Sequence, residues 1–161
     1  MNKEPKIITI DKKKLVGNAI EMSLVDNKTF ELFSAFMPKK KHIQNALSTD
    51  VFEVLVYDVN YLKNFNPTNT FTKWVTVEVD NYDAIPETME SLDLNKGLYA
   101  VFNYKGLAKD FGTLMQYIYT EYIPKSKYQL DSRPHFNVLG EKTKRNSPDS
   151  EETVWIPIKL K

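Results

Sequence analysis

The chain contains no cysteine. That absence excludes a disulfide framework, a thiol nucleophile, an iron–sulfur cluster and any cysteine-held zinc. Histidine is nearly as scarce. His42 and His135 stand far apart in 161 residues, with no H-x-x-x-H spacing, so no metal site is expected. The glycines are scattered and build neither G-x-G-x-x-G nor a P-loop, and no G-x-S-x-G elbow occurs. No cofactor and no catalytic residue are assigned on these grounds. An excess of either charge is missing too. Lys and Arg number 22 against 21 Asp and Glu, a net charge of +1, which is not the basic surplus of a nucleic-acid reader. No direct binding to nucleic acid is expected. Long apolar runs are absent, so no membrane partner is expected. The opening MNKEPK leads into four β-prone residues and not into the apolar stretch of a secretion signal. The expected location is the cytoplasm.

What is present is an ordinary globular composition, 42% hydrophobic and 27% charged. Its size suits one domain over residues 1–161. β-Branched and aromatic residues mark strands at 51–59 (VFEVLVYDV) and 71–79 (FTKWVTVEV). Shorter candidates lie at 7–10, 15–22, 98–104, 134–139 and 153–159. Leu107, Phe111, Leu114, Met115, Ile118 and Tyr122 follow helical spacing, and Pro124 is expected to stop that helix. A second helix is expected over 28–37, with Asp26 or Asn27 as its cap, Phe30, Phe33 and Met37 as its apolar stripe and Pro38 as its end. The Lys39-Lys40-Lys41-His42 run reads as a solvated loop, and 141–152 as the loop of a hairpin.

Strands starting near 15, 51 and 71 recur near 98, 134 and 153, an offset of about 83. Each set has a helix between its first and second strands, though the second set reaches its helix sooner. The expected fold class is therefore α+β: duplicated βαββ units, about 7–80 and 97–161, sharing an antiparallel sheet about a pseudo-twofold axis. Pairing the units edge to edge hides aggregation-prone edges. The seam between them is the natural place for a ligand cleft.

Aromatics are plentiful, with nine Tyr, nine Phe and two Trp. Phe33, Phe36, Tyr57, Tyr119, Phe136 and Trp155 fall on elements that would line the seam. They suit either core packing or the walls of a pocket for a flat or cationic organic molecule.

Three segments carry a family resemblance: GLYAVFNYKG over 97–106, the helix end and Arg133-Pro134-His135-Phe136 strand over 117–136, and Trp155-Ile-Pro-Ile158. Together they resemble the GyrI-like small-molecule-binding family, also called the AraC-type effector-binding domain. The resemblance implies two βαββ repeats with a ligand cleft between them, and a stand-alone member with no separate DNA reader. It also marks one departure. The family often carries a glutamate directly after the phenylalanine of the Arg-Pro-x-Phe strand, and here that position is Asn137. An amide offers hydrogen bonds but neither charge nor a general base. Glu141 and Glu152 are the nearby carboxylates that would substitute for it. The expected function is binding of a small amphipathic, planar or cationic ligand, to sense or sequester it. The expected ligand-binding residues are Phe33, Phe36, Tyr57, Tyr119, Asn137 and Trp155. Hydrolysis of a reactive natural product and modulation of a protein partner, such as a topoisomerase, are the alternatives.

Overall fold

A computed structural model describes residues 4–161. Met1, Asn2 and Lys3, part of the stretch read for a secretion signal, lie outside the described residues. Among the described residues nine strands are formed: β1 (Lys6–Ile10), β2 (Lys13–Met22), β3 (Val51–Val56), β4 (Phe71–Val79), β5 (Glu90–Leu94), β6 (Gly97–Lys105), β7 (Tyr128–Leu130), β8 (His135–Leu139) and β9 (Glu151–Leu160). The main sheet runs β1-β6-β9-β8-β3-β4-β2-β5, with β7 paired to β9. Every paired strand is antiparallel to its neighbour. The fold is thus α+β, a large antiparallel sheet with few helices. β3 and β8 meet at its centre, and Glu53 lies directly opposite Asn137 in their ladder. Each outer strand crosses over: β1 leads into β2 but pairs with β6, and β5 leads into β6 but pairs with β2.

Two helices cover one face of the sheet. α1 (Thr29–Phe36) buries Leu32 and Phe36, a spacing of one helical turn. The expected stripe is wrong in phase: Phe30 is 73% exposed and Met37 45% exposed, while Phe33 is half-buried. The Asn27 carboxamide oxygen does accept from the Thr29 N–H at 3.0 Å. Pro38 does not end the helical path. It sits in the first turn of a 3-10 segment, Met37–His42, where its missing N–H costs nothing. The lysine run therefore lies on a tight helix, with the Lys40 ammonium donating to the Thr49 carbonyl at 2.7 Å. The second helical stretch opens as 3-10 (Ala108–Asp110), becomes α2 (Phe111–Tyr117), widens to π over Ile118–Tyr122 and closes with a turn at Ile123–Lys125. Pro124 lies in that last turn, so the helix ends one residue later than expected, where Ser126 turns extended.

β5 and β7 were not foreseen, and the strand expected over 51–59 ends at Val56. The loop 140–150 joins β8 to β9, close to the expected hairpin loop. Four clusters make the core among the described residues, the smallest of them Met22, Tyr61 and Phe71. α1 packs Leu32 and Phe36 against Val75, Val77 and Val79. The second helix packs Leu114 and Ile118 against Phe102, Ile156 and Ile158. The third cluster, on the other face, joins Leu15, Phe52, Val54, Tyr99 and Phe136, and contains Ile10 from one edge and Leu94 from the other. β4 buries residues on both faces, since α1 covers one and this cluster lies on the other. Arg133 ties that side together. Its guanidinium stacks 4.6 Å over Tyr99, bonds Asp131 at 2.9 Å and donates to the Leu98 and Ile158 carbonyls. Gly97 leaves room for it, since a Cβ there would stand 2.3 Å from the guanidinium carbon.

Candidate functional site

Strand alternation sends one set of side chains to the helix-covered face at the centre of the sheet. Glu53 and Asn137 form the central pair on β3 and β8. Val75 on β4 flanks Glu53, and Val154 on β9 flanks Asn137. Two residues from each flank, on the same face, stand Lys73 and Glu152. A polar diagonal results, Lys73, Glu53, Asn137, Glu152, buried at Lys73 and Asn137 and half-buried at the two glutamates.

Its members are not equivalent. Asn137 is 5% exposed and Lys73 8% exposed. The Lys73 ammonium lies 3.2 Å from a Glu53 carboxylate oxygen and donates to Thr29 Oγ1 at 2.8 Å. A buried ammonium needs such partners to remain charged. Glu152 is half-buried and carries no hydrogen bond and no ion pair among the described residues. Burial, with the Glu53 charge adding and Lys73 opposing, pushes its carboxyl up to about 7.

Aromatic rings close the Lys73 side of the diagonal. Tyr57, just past β3, stacks on Tyr61 at 4.6 Å and meets His135 edge-on at 5.1 Å. The Tyr119 hydroxyl, from the π turn, lies 3.3 Å from His135 Nδ1. Burial lowers His135 to about 3, so this imidazole is neutral. Burial, then the neighbouring tyrosines, pushes the Tyr57 hydroxyl well up, and burial does the same to Tyr119. None of these groups is poised as a base near neutral pH. A recess of about 380 Å³ opens beside them, lined by Asp58, Asn60, Tyr61, Asn64, Asn69 and Thr70. Tyr61 therefore borders both the recess and the ring cluster.

Of the six residues expected from sequence, Tyr57, Tyr119 and Asn137 lie on this face around His135. Phe33 is half-buried and packs in the cluster that holds Val51 and Leu139, two residues from Glu53 and Asn137 respectively. Phe36 is fully buried beneath α1, a core position with no surface to offer a ligand. Trp155 is on the opposite face, stacked on Phe136 at 5.0 Å, because it pairs with Phe136 and not with Asn137. Trp155 and Asn137 therefore cannot line one cavity.

Sequence reasoning missed Glu53 and Lys73. A signal existed. VFEV over 51–54 and HFNV over 135–138 occupy matching strands, so a residue-level comparison would have set Glu53 against Asn137. Among the described residues no group of three His, Asp or Glu could hold a metal ion. No helix among them is long and apolar enough to cross a membrane.

The model of a family described as integron-associated effector-binding protein, Cass2, matches residues 6–158. No curated protein matches the chain in sequence. Solved structures are similar over nearly the whole chain. SAV2435 bound to tetraphenylphosphonium is 14% identical, with TM-score 0.69, over 97% of this chain and 94% of that one. The EcmrR C-terminal domain is 12% identical, with TM-score 0.72, over 98% of each chain. An integron cassette protein from Vibrio cholerae is 12% identical, with TM-score 0.59, over 97% and 96%.

Proposed function

The chain belongs to the family of integron-associated effector-binding proteins, with the GyrI-like fold that its sequence resembles, and from that premise we propose the chemistry of its ligand. The protein binds an organic cation with aromatic or other flat apolar surface, at the polar diagonal between the two helices. One observation carries this reading: two half-buried carboxylates and one buried ammonium lie together beside a cluster of tyrosines. The charge surplus there is negative, and ring faces attract cations once water is excluded. Tyr57, Tyr119 and Phe33 supply the walls, and Asn137 a neutral hydrogen-bonding group. The recess beside Tyr61 is the entrance. That a structural relative holds tetraphenylphosphonium, a permanent aromatic cation, supports the same ligand class.

The architecture suits such a site. The order β6-β9-β8 on one side of the seam and β2-β4-β3 on the other is read as two copies of one βαββ unit, about 7–80 and 97–161. On that reading Glu53 and Asn137 are corresponding residues, as are Lys73 and Glu152. The protein is a sensor or scavenger of a drug-like compound, acting in the cytoplasm.

Calorimetric titration with tetraphenylphosphonium, beside neutral triphenylphosphine oxide, tests the reading. Saturable binding of the cation, weakened about tenfold by Tyr119→Ala, is expected. Equal affinity for the neutral compound, or no binding of either, refutes it.

A further inference from the structure

We infer that Glu152, and not Glu53, is the counter-ion of the bound ligand, and that the site takes up one organic monocation in exchange for one proton. The inference rests on the binding reading above and sharpens it, by naming the ligand's charge and the group that meets it.

Glu53 is already occupied. The Lys73 ammonium sits 3.2 Å from it and is anchored from the other side by Thr29 Oγ1, on α1. Displacing that ammonium would leave a second positive charge in a buried place, so an incoming cation gains nothing there. Glu152 lies beyond Asn137 on the same diagonal and has no such partner. The groups facing it are Glu53 from β3, Lys73 from β4 and Tyr104 from β6, which stands opposite it in the ladder. β8 contributes the neutral Asn137, α1 packs the apolar Leu32 and Phe36 toward the sheet, and the second helical stretch packs the apolar Leu114 and Ile118 over β9, with Asp110 at its start beside Tyr104. Among the described residues Lys73 is thus the one cation facing the cluster, and it is held at Glu53.

The charge count follows. With Glu53 and Lys73 cancelling, the site is neutral when Glu152 is protonated and carries one negative charge when it is not. Burial already raises this carboxyl to about 7, so near neutrality both forms exist. A permanent cation binds the ionised form, and the proton passes to solvent. The site is neutral before and after, which is the state a half-buried cluster favours. A dication would leave one charge unmatched and is disfavoured.

The probe is tetraphenylphosphonium, whose charge does not titrate. Affinity is measured by calorimetry at pH 6 and pH 8, in buffers of different ionisation enthalpy, for the wild type and Glu152→Gln. The wild type is expected to bind about tenfold tighter at pH 8, and to release about half a proton per ligand at pH 7. Glu152→Gln is expected to bind more weakly at pH 8 and equally at both pH values. A carbon-13 titration of the free protein reads the Glu152 carboxyl directly, by comparison with Glu152→Gln, and keeps the test decisive should that variant bind nothing. A Glu152 midpoint in the neutral range that falls with saturating ligand supports the exchange. Tight binding with no pH dependence and no proton release overturns it while leaving the binding reading intact. Absence of binding at both pH values overturns both.

Discussion

Burial of Glu152 and His135 in one sheet face has a measurable effect on stability. Glu152 is raised from an ordinary value near 4.5 to about 7. The folded state therefore holds a proton that the unfolded state has lost, and this contribution to stability, complete below pH 4.5, disappears as pH rises through 7. His135 is lowered from 6.5 to about 3. Its contribution has the opposite sign: present above pH 6.5 and lost as pH falls toward 3. Each group changes stability by at most about 1.4 kcal/mol per pH unit. Between pH 5 and pH 6.5 the Glu152 contribution falls while the His135 contribution grows by a similar amount, about 1–2 kcal/mol each, so the two oppose each other across that window. Glu152→Gln removes one member of the balance. Its unfolding free energy is expected to rise by about 1–2 kcal/mol from pH 5 to pH 6.5, clearly more than that of the wild type. Urea titrations followed by tryptophan fluorescence at the two pH values measure this. Parallel behaviour of the two proteins would refute the reasoning, because it would mean that Glu152 titrates in the folded state as it does in the unfolded one.

Trp155→Ala is expected to lower stability by about 2–3 kcal/mol through lost stacking on Phe136, while leaving the affinity for tetraphenylphosphonium within about twofold, since the indole is on the far face of the sheet; denaturation and calorimetry on the one variant check both. Gly17→Ala is expected to destabilise by more than about 3 kcal/mol, as its Cβ would lie 1.9 Å from the Val75 carbonyl oxygen on the paired strand; an unchanged melting temperature would contradict that. Arg133→Lys keeps the charge but cannot reach Asp131 and two carbonyls together, and a loss of about 2 kcal/mol in urea unfolding is expected.

Much of the fold was legible because the signals were local. The alternation in FTKWVTVEV and the helical spacing from Leu114 to Tyr122 depend on neighbouring residues alone. β5 was invisible for the same reason: in ESLDL two leucines stand among polar residues, and it is a strand because β2 offers it a ladder. The phase of α1 was misjudged since Phe30, Phe33 and Met37 fit a stripe as well as Leu32 and Phe36 do, and the valines of β4 decide between them. The site was less legible. Asn137 read as a lost charge because its pairing with Glu53 joins residues from the two halves of the chain. Trp155 was assigned to the seam because alternation separates the two faces of a strand but does not say what each face meets.

The crossing of the outer strands has a consequence for how such a chain is made. Lys6–Ile10 completes its ladder on Gly97–Lys105, and Glu90–Leu94 completes its own on Lys13–Met22. A nascent polypeptide emerging from the ribosome must hold its first segment in waiting until the later half has been synthesised. A chain nicked within 80–89 would yield two fragments, each carrying the border strand that the other lacks. Mixing them should restore the native assembly, since each supplies the strand that completes the other's sheet edge.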